Sequence, residues 1–465
     1  MSKKLFILLL ILAFFPSKIE AKIPDFYTYS DIKKKNELDL YGYSYPILPL
    51  NGNMNETPVF NSNSPEEVTT EGILLSTFSP NNKSNPSAHL DYKFEGKFDI
   101  FSHHLAVKTE ENKDKILFQG ILLKNDSDEI AKIKVISSSS YITHQAPYIK
   151  LDDYLLNDDG NIFSGPGDRV NQDIIRNKNI LNVNEITIQP KSHYLLFNEQ
   201  IPIINGSSRT TRTTFFKLET SKPLYVSDLA LFINKNAYDF NNKKPSINEY
   251  IYLLKNGNLS QKRDNIPTPL EKIVDKFFYS RVSGVSLGNY LKAKIINKDN
   301  FLVLEKENSG IAYSLNSLYN NTHGTNIIQS SKMIRRYNDT SYQAHGNYGV
   351  TYDLEIPLYN PTEKTQAISI SFNSPKRDPR NSNQDNVKYF VNAENKINFR
   401  GEIKVSYYTK SGAYIEKYIH LVQKFGQEAP PLASFVLLPN EKRNVKVKYI
   451  YPADCTAPHV LTIYN

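Results

Sequence analysis

The side chains best suited to chemistry are one serine in a glycine-flanked pentapeptide, a set of histidines and a run of carboxylates. Gly284-Val-Ser-Leu-Gly288 has the spacing of a nucleophile elbow, G-x-S-x-G. That device needs a strand, a sharp turn and a helix to lift the serine hydroxyl above a parallel sheet. The flanks here, Phe277-Phe-Tyr-Ser-Arg-Val and Tyr290-Leu-Lys-Ala-Lys-Ile-Ile, both read as strands. Ser286 is therefore expected in a hairpin turn, with a secreted hydrolase as the sharper alternative. His103 and His104 are adjacent, and strand neighbours point to opposite faces, so the two are not expected to share a metal ion. No H-x-H, H-E-x-x-H or Cys/His array completes a zinc site from nine histidines and one cysteine. A composite site of His104 and His345, joined by packing of two halves, competes with a plainer expectation: strand-end histidines bonded to backbone. No cofactor and no metal are expected.

Asp152-Asp153, Asp158-Asp159-Gly160 and Asp168 supply hard oxygen ligands, but Leu155 stands where a D-x-[DN]-x-[DN]-G loop needs its first Asp. A solvated loop is expected, with calcium as the alternative. Gly165-Pro-Gly-Asp-Arg169 lacks a following G-K-[ST], so it reads as a tight surface turn rather than a phosphate loop. Asn171 to Arg176 continues it as a short helical turn. Its sharper reading is a displayed loop that touches a ligand or partner. The candidate ligand-binding residues are thus His103, His104, His345, Asp168 and Arg169, and no catalytic set is assigned. Tyr407, Tyr408, Tyr414 and Tyr418 offer a stacking platform for sugar rings. Tyr407 and Tyr408 face opposite sides, so at most one of them serves; core packing or cross-strand pairing is the alternative.

The elements positioning these residues are strands. The chain has 31 Tyr, 24 Phe, 25 Pro and no Trp, with short alternating runs such as Lys132 to Ile136, Glu185 to Gln189, Ala367 to Phe372 and Asn444 to Tyr449. The expected fold is all-β, two immunoglobulin-like or jelly-roll-like β-sandwich domains with one short linker helix. Two signals recur in the same order. A strand, a turn on Asn125 or Asn360 and a second strand come first; a strand broken at Pro190 or Pro439 follows. Ser246-Ile-Asn-Glu249 is a capping box, and Gly257 would end its helix in the left-handed conformation. The expected layout is an extended arm over 22–58 lying on the first domain, a first sandwich over 59–242, a linker over 243–275 and a second sandwich over 276–465.

Lys3 and Lys4, the apolar run Leu5 to Phe15, Pro16 and Ala21 have the order of a secretory signal peptide over 1–21. The eleven-residue run is too short to span a bilayer, which takes about 20 residues. No later segment has 18 consecutive apolar residues, so no transmembrane segment is expected after signal cleavage. Losing three lysines and one glutamate with the leader lowers the formal charge from +8 to +6. The basic residues are interspersed with acids, so no nucleic-acid partner is expected. One cysteine permits no intrachain disulfide, which suits export in a bacterium better than in an animal.

Pro58-Val-Phe-Asn-Ser-Asn-Ser-Pro65, Phe98-Asp-Ile-Phe-Ser-His-His104, Ala344-His-Gly-Asn-Tyr-Gly349, Leu358-Tyr-Asn-Pro361 and Tyr418-Ile-His-Leu-Val-Gln423 together resemble a family of uncharacterised exported cyanobacterial proteins built on one long domain of unknown function. The resemblance runs from about Pro58 to Ile463. It implies export from a cyanobacterial cell and supplies no activity or ligand. The expected role is non-enzymatic binding or scaffolding in the periplasm or at the cell surface. The expected partners are cell-envelope components, a polysaccharide or another envelope protein. The rivals are a carbohydrate-binding protein for peptidoglycan or envelope polysaccharide, and a secreted hydrolase using Ser286 or a histidine-bound metal.

Overall fold

Alternation of apolar and polar side chains becomes strand structure along most of the chain. Ala131–Ile142 buries Ala131, Ile133 and Val135 and exposes Lys132, Lys134 and Ile136 between them. The computed structural model describes residues 27–28 and 40–465, apart from 145, 147, 149, 204–208, 237, 239–242, 275, 377–386 and 394. The leader expected over 1–21 lies outside the described residues. With 49% of residues in strands and 6% in helix, the fold is all-β.

A twelve-stranded sheet carries most of the N-terminal half. Its spine is Arg209–Asn234, 26 residues long, where strands usually run to about 10. The first part of the spine pairs with Phe94–Val107 and Ala131–Ile142, and the last part with Lys115–Asn125 and Gly72–Ser76. Pairing with Phe94–Val107 shifts register between Thr220 and Leu224, around Pro223, which has no N–H to donate. Phe60, Phe94, Phe98 and Phe216 form a core on this sheet. A seven-stranded and a five-stranded sheet carry most of the C-terminal half and share one core. Tyr352, Ile403 and Val447 enter it from the larger sheet, and Ile368, Ile370 and Leu461 from the smaller.

The sheets exchange strands across the stretch 243–275. Ser283–Leu287 pairs with Pro58–Ser62 and Ser331–Arg336 inside the twelve-stranded sheet, whereas Tyr290–Lys294 lies in the seven-stranded one. The crossing is made at Gly288 and Asn289. Gly288 has φ +105°, and a Cβ there would collide with the Met54 side chain. Asn55 Oδ1 accepts the N–H groups of Asn289 (2.9 Å) and Tyr290 (3.1 Å), which pins the crossing in place. The opening arm corrects its expected placement. Its described strands Leu40–Tyr43, Ile47–Pro49 and Asn53–Met54 pair with Val387–Phe390, Gly310–Leu315 and Tyr290–Lys294, all in the second half.

The recurring asparagine turns have matching hydrogen bonds. Asn125 Nδ2 donates to the carbonyls of Glu129 (2.7 Å) and Ile188 (3.1 Å), and Asn125 Oδ1 accepts from the Ser127 hydroxyl (2.7 Å). Asn360 Nδ2 donates to those of Lys364 (2.7 Å) and Leu437 (3.0 Å), and Asn360 Oδ1 accepts from the Thr362 hydroxyl (2.7 Å). Each asparagine therefore clamps its own turn to the strand that ends before Pro190 or Pro439.

Among the described residues, two ten-residue α-helices interrupt the strands. Helix α1, Pro166–Ile175, replaces the expected surface turn at Gly165 to Arg169. Pro166 at its first position has its ring-fixed φ ready for the helix. Val170 and Ile174 fall on one side of it, but its polar residues Asp168, Asn171, Gln172 and Asp173 are buried as well, so the pattern in the sequence does not show that the helix is covered on more than one side. Helix α2, Ile247–Asn256, is the expected linker helix, and both bonds of the capping box between Ser246 and Glu249 form. Gly257 corrects the expected ending: its φ is −78°, not left-handed. Its N–H bonds to the Leu253 carbonyl, and a Cβ would lie 2.6 Å from that oxygen, so close approach is what requires glycine.

Candidate functional site

Helix α1 lies between the twelve-stranded and seven-stranded sheets, packed against Ala131–Ile142, Arg209–Asn234, Ile397–Tyr408 and Lys442–Ile450. Asp168 Oδ2 accepts the Ser164 N–H (2.7 Å) and the Nε2–H of His420 (2.7 Å), and both side chains are fully buried. The other carboxylate oxygen of Asp168 and His420 Nδ1 have no hydrogen-bond partner. Arg169 donates to the Gly160 carbonyl (2.7 Å), Gln172 Oε1 (2.9 Å) and the Tyr141 hydroxyl (3.1 Å), and lies over the Tyr141 and Phe163 rings. Arg176, just past the helix, pairs with buried Glu402, which also accepts from Asn157 (2.8 Å) and Gln172 (3.2 Å). A His–Asp pair can act as a base and its orienter. Here the pair is enclosed, and its evident work is to tie the strand Tyr414–Lys424 to α1. The displayed ligand loop expected at Asp168 and Arg169 is thus corrected to an internal clamp.

His104 sits in a second enclosed network. Its Nδ1 donates to the Pro65 carbonyl (2.8 Å), and its Nε2 meets the Ser62 hydroxyl at 2.9 Å and Asp228 Oδ2 at 3.4 Å. Asp228 is held in turn by Ser102 (2.7 Å) and Gln119 (3.0 Å). Serine, histidine and aspartate meet, but not as a triad. A triad acid holds the nitrogen opposite the one that faces the serine, and here both approach Nε2. The same Ser–His pairing recurs at Ser76–His89 (2.8 Å), Ser314–His323 (3.1 Å) and Ser374–His459 (2.9 Å). Hydroxyls, more than the backbone groups expected, are how this fold satisfies buried histidines.

His103 points to the other face, as expected, and bonds the Thr213 hydroxyl (2.8 Å). Burial holds its pKa below the usual histidine value, while the charge of Asp454 works the other way. Asp454 also accepts the Gly167 N–H of α1 (3.1 Å), so His103 and the start of α1 share a neighbour. His345 is placed separately. It meets the edge of the Tyr279 ring at 4.5 Å, and burial pushes its pKa down to about 4. Ser286 corrects the expected turn: it lies inside the strand Ser283–Leu287, buried, opposite Val59 and Met333, with no helix after it. A small cavity beside it, lined by Asn61, Asp99, Phe101 and Tyr348, has room for about one water. Asp153 accepts from Gln427, and Asp158 accepts the Tyr418 N–H (3.0 Å), each serving its own loop contact. Among the described residues no three His, Cys, Asp or Glu side chains gather to hold a metal ion.

The tyrosines divide as alternation predicts. Tyr407 turns inward against Phe435 (4.8 Å), while Tyr408 and Tyr414 stand directly opposite each other on the outward face. They are 64% and 52% exposed, with ring centroids 5.2 Å apart. Glu416 beside them accepts from Tyr414 (3.1 Å), Tyr418 (2.8 Å) and Lys404 (2.6 Å). Cys455 is buried and bonds the Arg400 backbone through its thiol.

Sequence reading missed His420, Glu402, Ser62 and Asp228. A usable signal existed for His420. Ile419-His-Leu-Val422 is nearly apolar on both faces, the mark of a strand covered on both sides, and one histidine within it must find an internal partner.

Comparison with known proteins adds a family and little more. No curated protein matches the chain. Among solved structures it aligns with a mutant of the Bacillus subtilis oxalate decarboxylase, at 10% identity over 83% of this chain and 79% of that one, with a TM-score of 0.09. A second oxalate decarboxylase structure aligns at 9% identity over the same shares, also at 0.09. Scores that low carry no argument about fold or chemistry. No helix among the described residues is long and apolar enough to cross a membrane. Residues 46–465 match the family described as "Protein of unknown function (DUF3370)", and the chain belongs to that family.

Proposed function

We propose that this is an exported, non-enzymatic binding or scaffolding protein of a bacterial cell envelope, in a cyanobacterium. One observation carries the reading. The histidines and carboxylates capable of chemistry are spent inside the fold, His104 with Ser62 and Asp228, and His420 with Asp168, where they fasten strands to strands and to α1. The leader-like residues before Lys22 and the single cysteine support export. The architecture attached to this role is a pair of related sandwiches, supported by the matched turns at Asn125 and Asn360. Expression of the full chain in a bacterium, followed by osmotic shock and mass measurement, tests export. The expected product leaves the cytoplasm shorter by the leader, and an intact cytoplasmic chain would contradict it. A fluorophosphonate probe tests the enzymatic rival, and labelling at Ser286 would overturn the non-enzymatic part.

A second reading, binding of envelope polysaccharide, is favoured by the exposed Tyr408 and Tyr414 pair with Glu416 and Lys404 beside it. Aromatic faces stack on sugar rings while neighbouring charged groups hydrogen-bond the hydroxyls. Retention on purified envelope polysaccharide that is lost in Tyr408→Ala is the expected result. Retention unchanged by that substitution would remove this face from the reading.

A further inference from the structure

The outward face of the seven-stranded sheet breaks a rule that the rest of the fold obeys. Lys404 stands directly opposite Lys448 in the ladder between Ile397–Tyr408 and Lys442–Ile450. Like charges in directly opposed positions repel and destabilise a sheet. Both side chains are partly enclosed, 23% and 36% exposed. Lys404 is neutralised by Glu416, but Lys448 has its nearest carboxylate, Asp353, at 3.8 Å, and that carboxylate already accepts the Tyr290 hydroxyl. Lys217 adds a third positive charge from the twelve-stranded sheet, where it pairs with Asp99 at 3.0 Å. Burial, with the charges of Lys404 and Lys217, lowers the proton affinity of Lys448. Each of the three ammonium groups keeps one carboxylate, Glu416, Asp353 and Asp99 in turn, yet the three stay gathered beside one another. Two ammonium groups opposed in one ladder, with a third beside them, make this face a candidate site for an anion.

Aromatic rings lie along the same face. Tyr418 is opposite Lys404 in the ladder, and its ring lies beneath that ammonium at 5.4 Å. The Tyr290 ring lies beneath Lys448 at 5.5 Å. Tyr408 is four residues along the strand from Lys404, about 14 Å at strand spacing. Lys292, Lys294 and Lys446 are exposed on the same outward side, between Asp353 and Glu355. The face thus carries a run of ammonium groups interspersed with Asp353, Glu355 and Glu416, and ends at the exposed rings of Tyr408 and Tyr414.

We propose that this face binds an acidic polysaccharide, with its carboxylates between Lys404, Lys448 and Lys217 and its rings against the Tyr408–Tyr414 pair. The proposal rests on the polysaccharide reading above and names its substrate class. Polygalacturonate and a neutral dextran, each tested by calorimetry and affinity electrophoresis against the leader-free chain, separate the two ideas. The expected result is binding of polygalacturonate alone, lost in about 1 M salt, where charges more than about 3 Å apart are screened. Lys448→Gln is expected to weaken that binding by about tenfold, the factor that corresponds to about 1.4 kcal/mol. The same variant should melt close to the wild-type temperature, because the repulsion it removes offsets the lost contacts to Asp353 and the Tyr290 ring. Polygalacturonate binding that Lys448→Gln leaves intact overturns the proposal. Dextran bound as well as polygalacturonate also overturns it while leaving the polysaccharide reading standing, and binding of neither polymer ends both.

Discussion

The bond between His420 and Asp168 joins residues 252 positions apart, with neither side chain in reach of water. Truncating one member of a buried pair strands the other, at a cost of about 3–5 kcal/mol, whereas replacing both with apolar groups of similar size is often neutral. His420→Ala is therefore expected to lower unfolding free energy by about that amount. Asp168→Leu combined with His420→Phe should recover most of it. Urea denaturation measures both, and a single substitution costing under about 1 kcal/mol would mean that the pair does not bear on stability. At this scale the sequence was only partly legible. Alternation correctly separated His103 from His104 and Tyr407 from Tyr408, because side-chain direction in a strand is a local property. Partners were not legible, because Ser62 with His104, or Asp168 with His420, is decided by how distant strands stack. The glycines of the G-x-S-x-G spacing have packing reasons of their own. Gly284 is required because a Cβ would lie 2.1 Å from the Arg335 carbonyl oxygen, and Gly288 because the chain changes sheets there.

Elements whose signal is local were read well. The capping box of α2 and the alternating strands have their partners within a few residues or on one sheet face. Helix α1 was read as a turn because its identity as a helix comes from what surrounds it: sheets on two sides make Asp168, Gln172 and Asp173 internal residues. The asparagine turns are the most transferable device at this scale. Each asparagine uses its amide N–H groups on two carbonyls and its oxygen on a hydroxyl, so neither Ala nor Asp can replace it; a carboxylate cannot donate. Asn125→Asp and Asn360→Asp are each expected to cost about 1–3 kcal/mol, the penalty for leaving buried carbonyls unpaired. Because the two networks share these bonds, and Asn125 adds only a longer one to the Gln189 carbonyl (3.2 Å), the two costs should agree closely. Thermal melts of the two variants compare them, and a large loss in one with none in the other would show that the turns do not do equivalent work.

The exchange of strands at Gly288 and the return of the arm onto the second half belong to the whole molecule. Neither leaves a mark in composition or periodicity, since a strand reads the same whichever sheet receives it. Burial within this assembly sets how the protein responds to acid. His89 and His345 are enclosed, and His193 is partly so, and each is pushed down to about 4, chiefly by burial. The charges of Lys83 on His89, and of Lys124 and Lys83 on His193, act in the same direction. An unfolded chain takes up these protons near pH 6.5, whereas the folded one resists until about pH 4. The stability held by neutral histidines is therefore complete above about pH 6.5 and is lost as the pH falls toward 4. The loss is on the order of 3 kcal/mol for each of the two enclosed rings and less for His193. Glu428, whose carboxyl is raised by burial, works against this loss over part of the same range. Carboxylates held low by partners, such as Glu249 and Glu416, begin to give up their contribution as the pH falls through the usual carboxylate range, so they steepen only the acid end of the histidine window. Melting temperature should fall steadily between about pH 6.5 and 4, and the fall should become shallower when His89 and His345 are both replaced by Gln, which does not titrate. A wild-type melting temperature that stays level across that interval would mean that these rings accept protons in place, with water reaching positions that the packing closes.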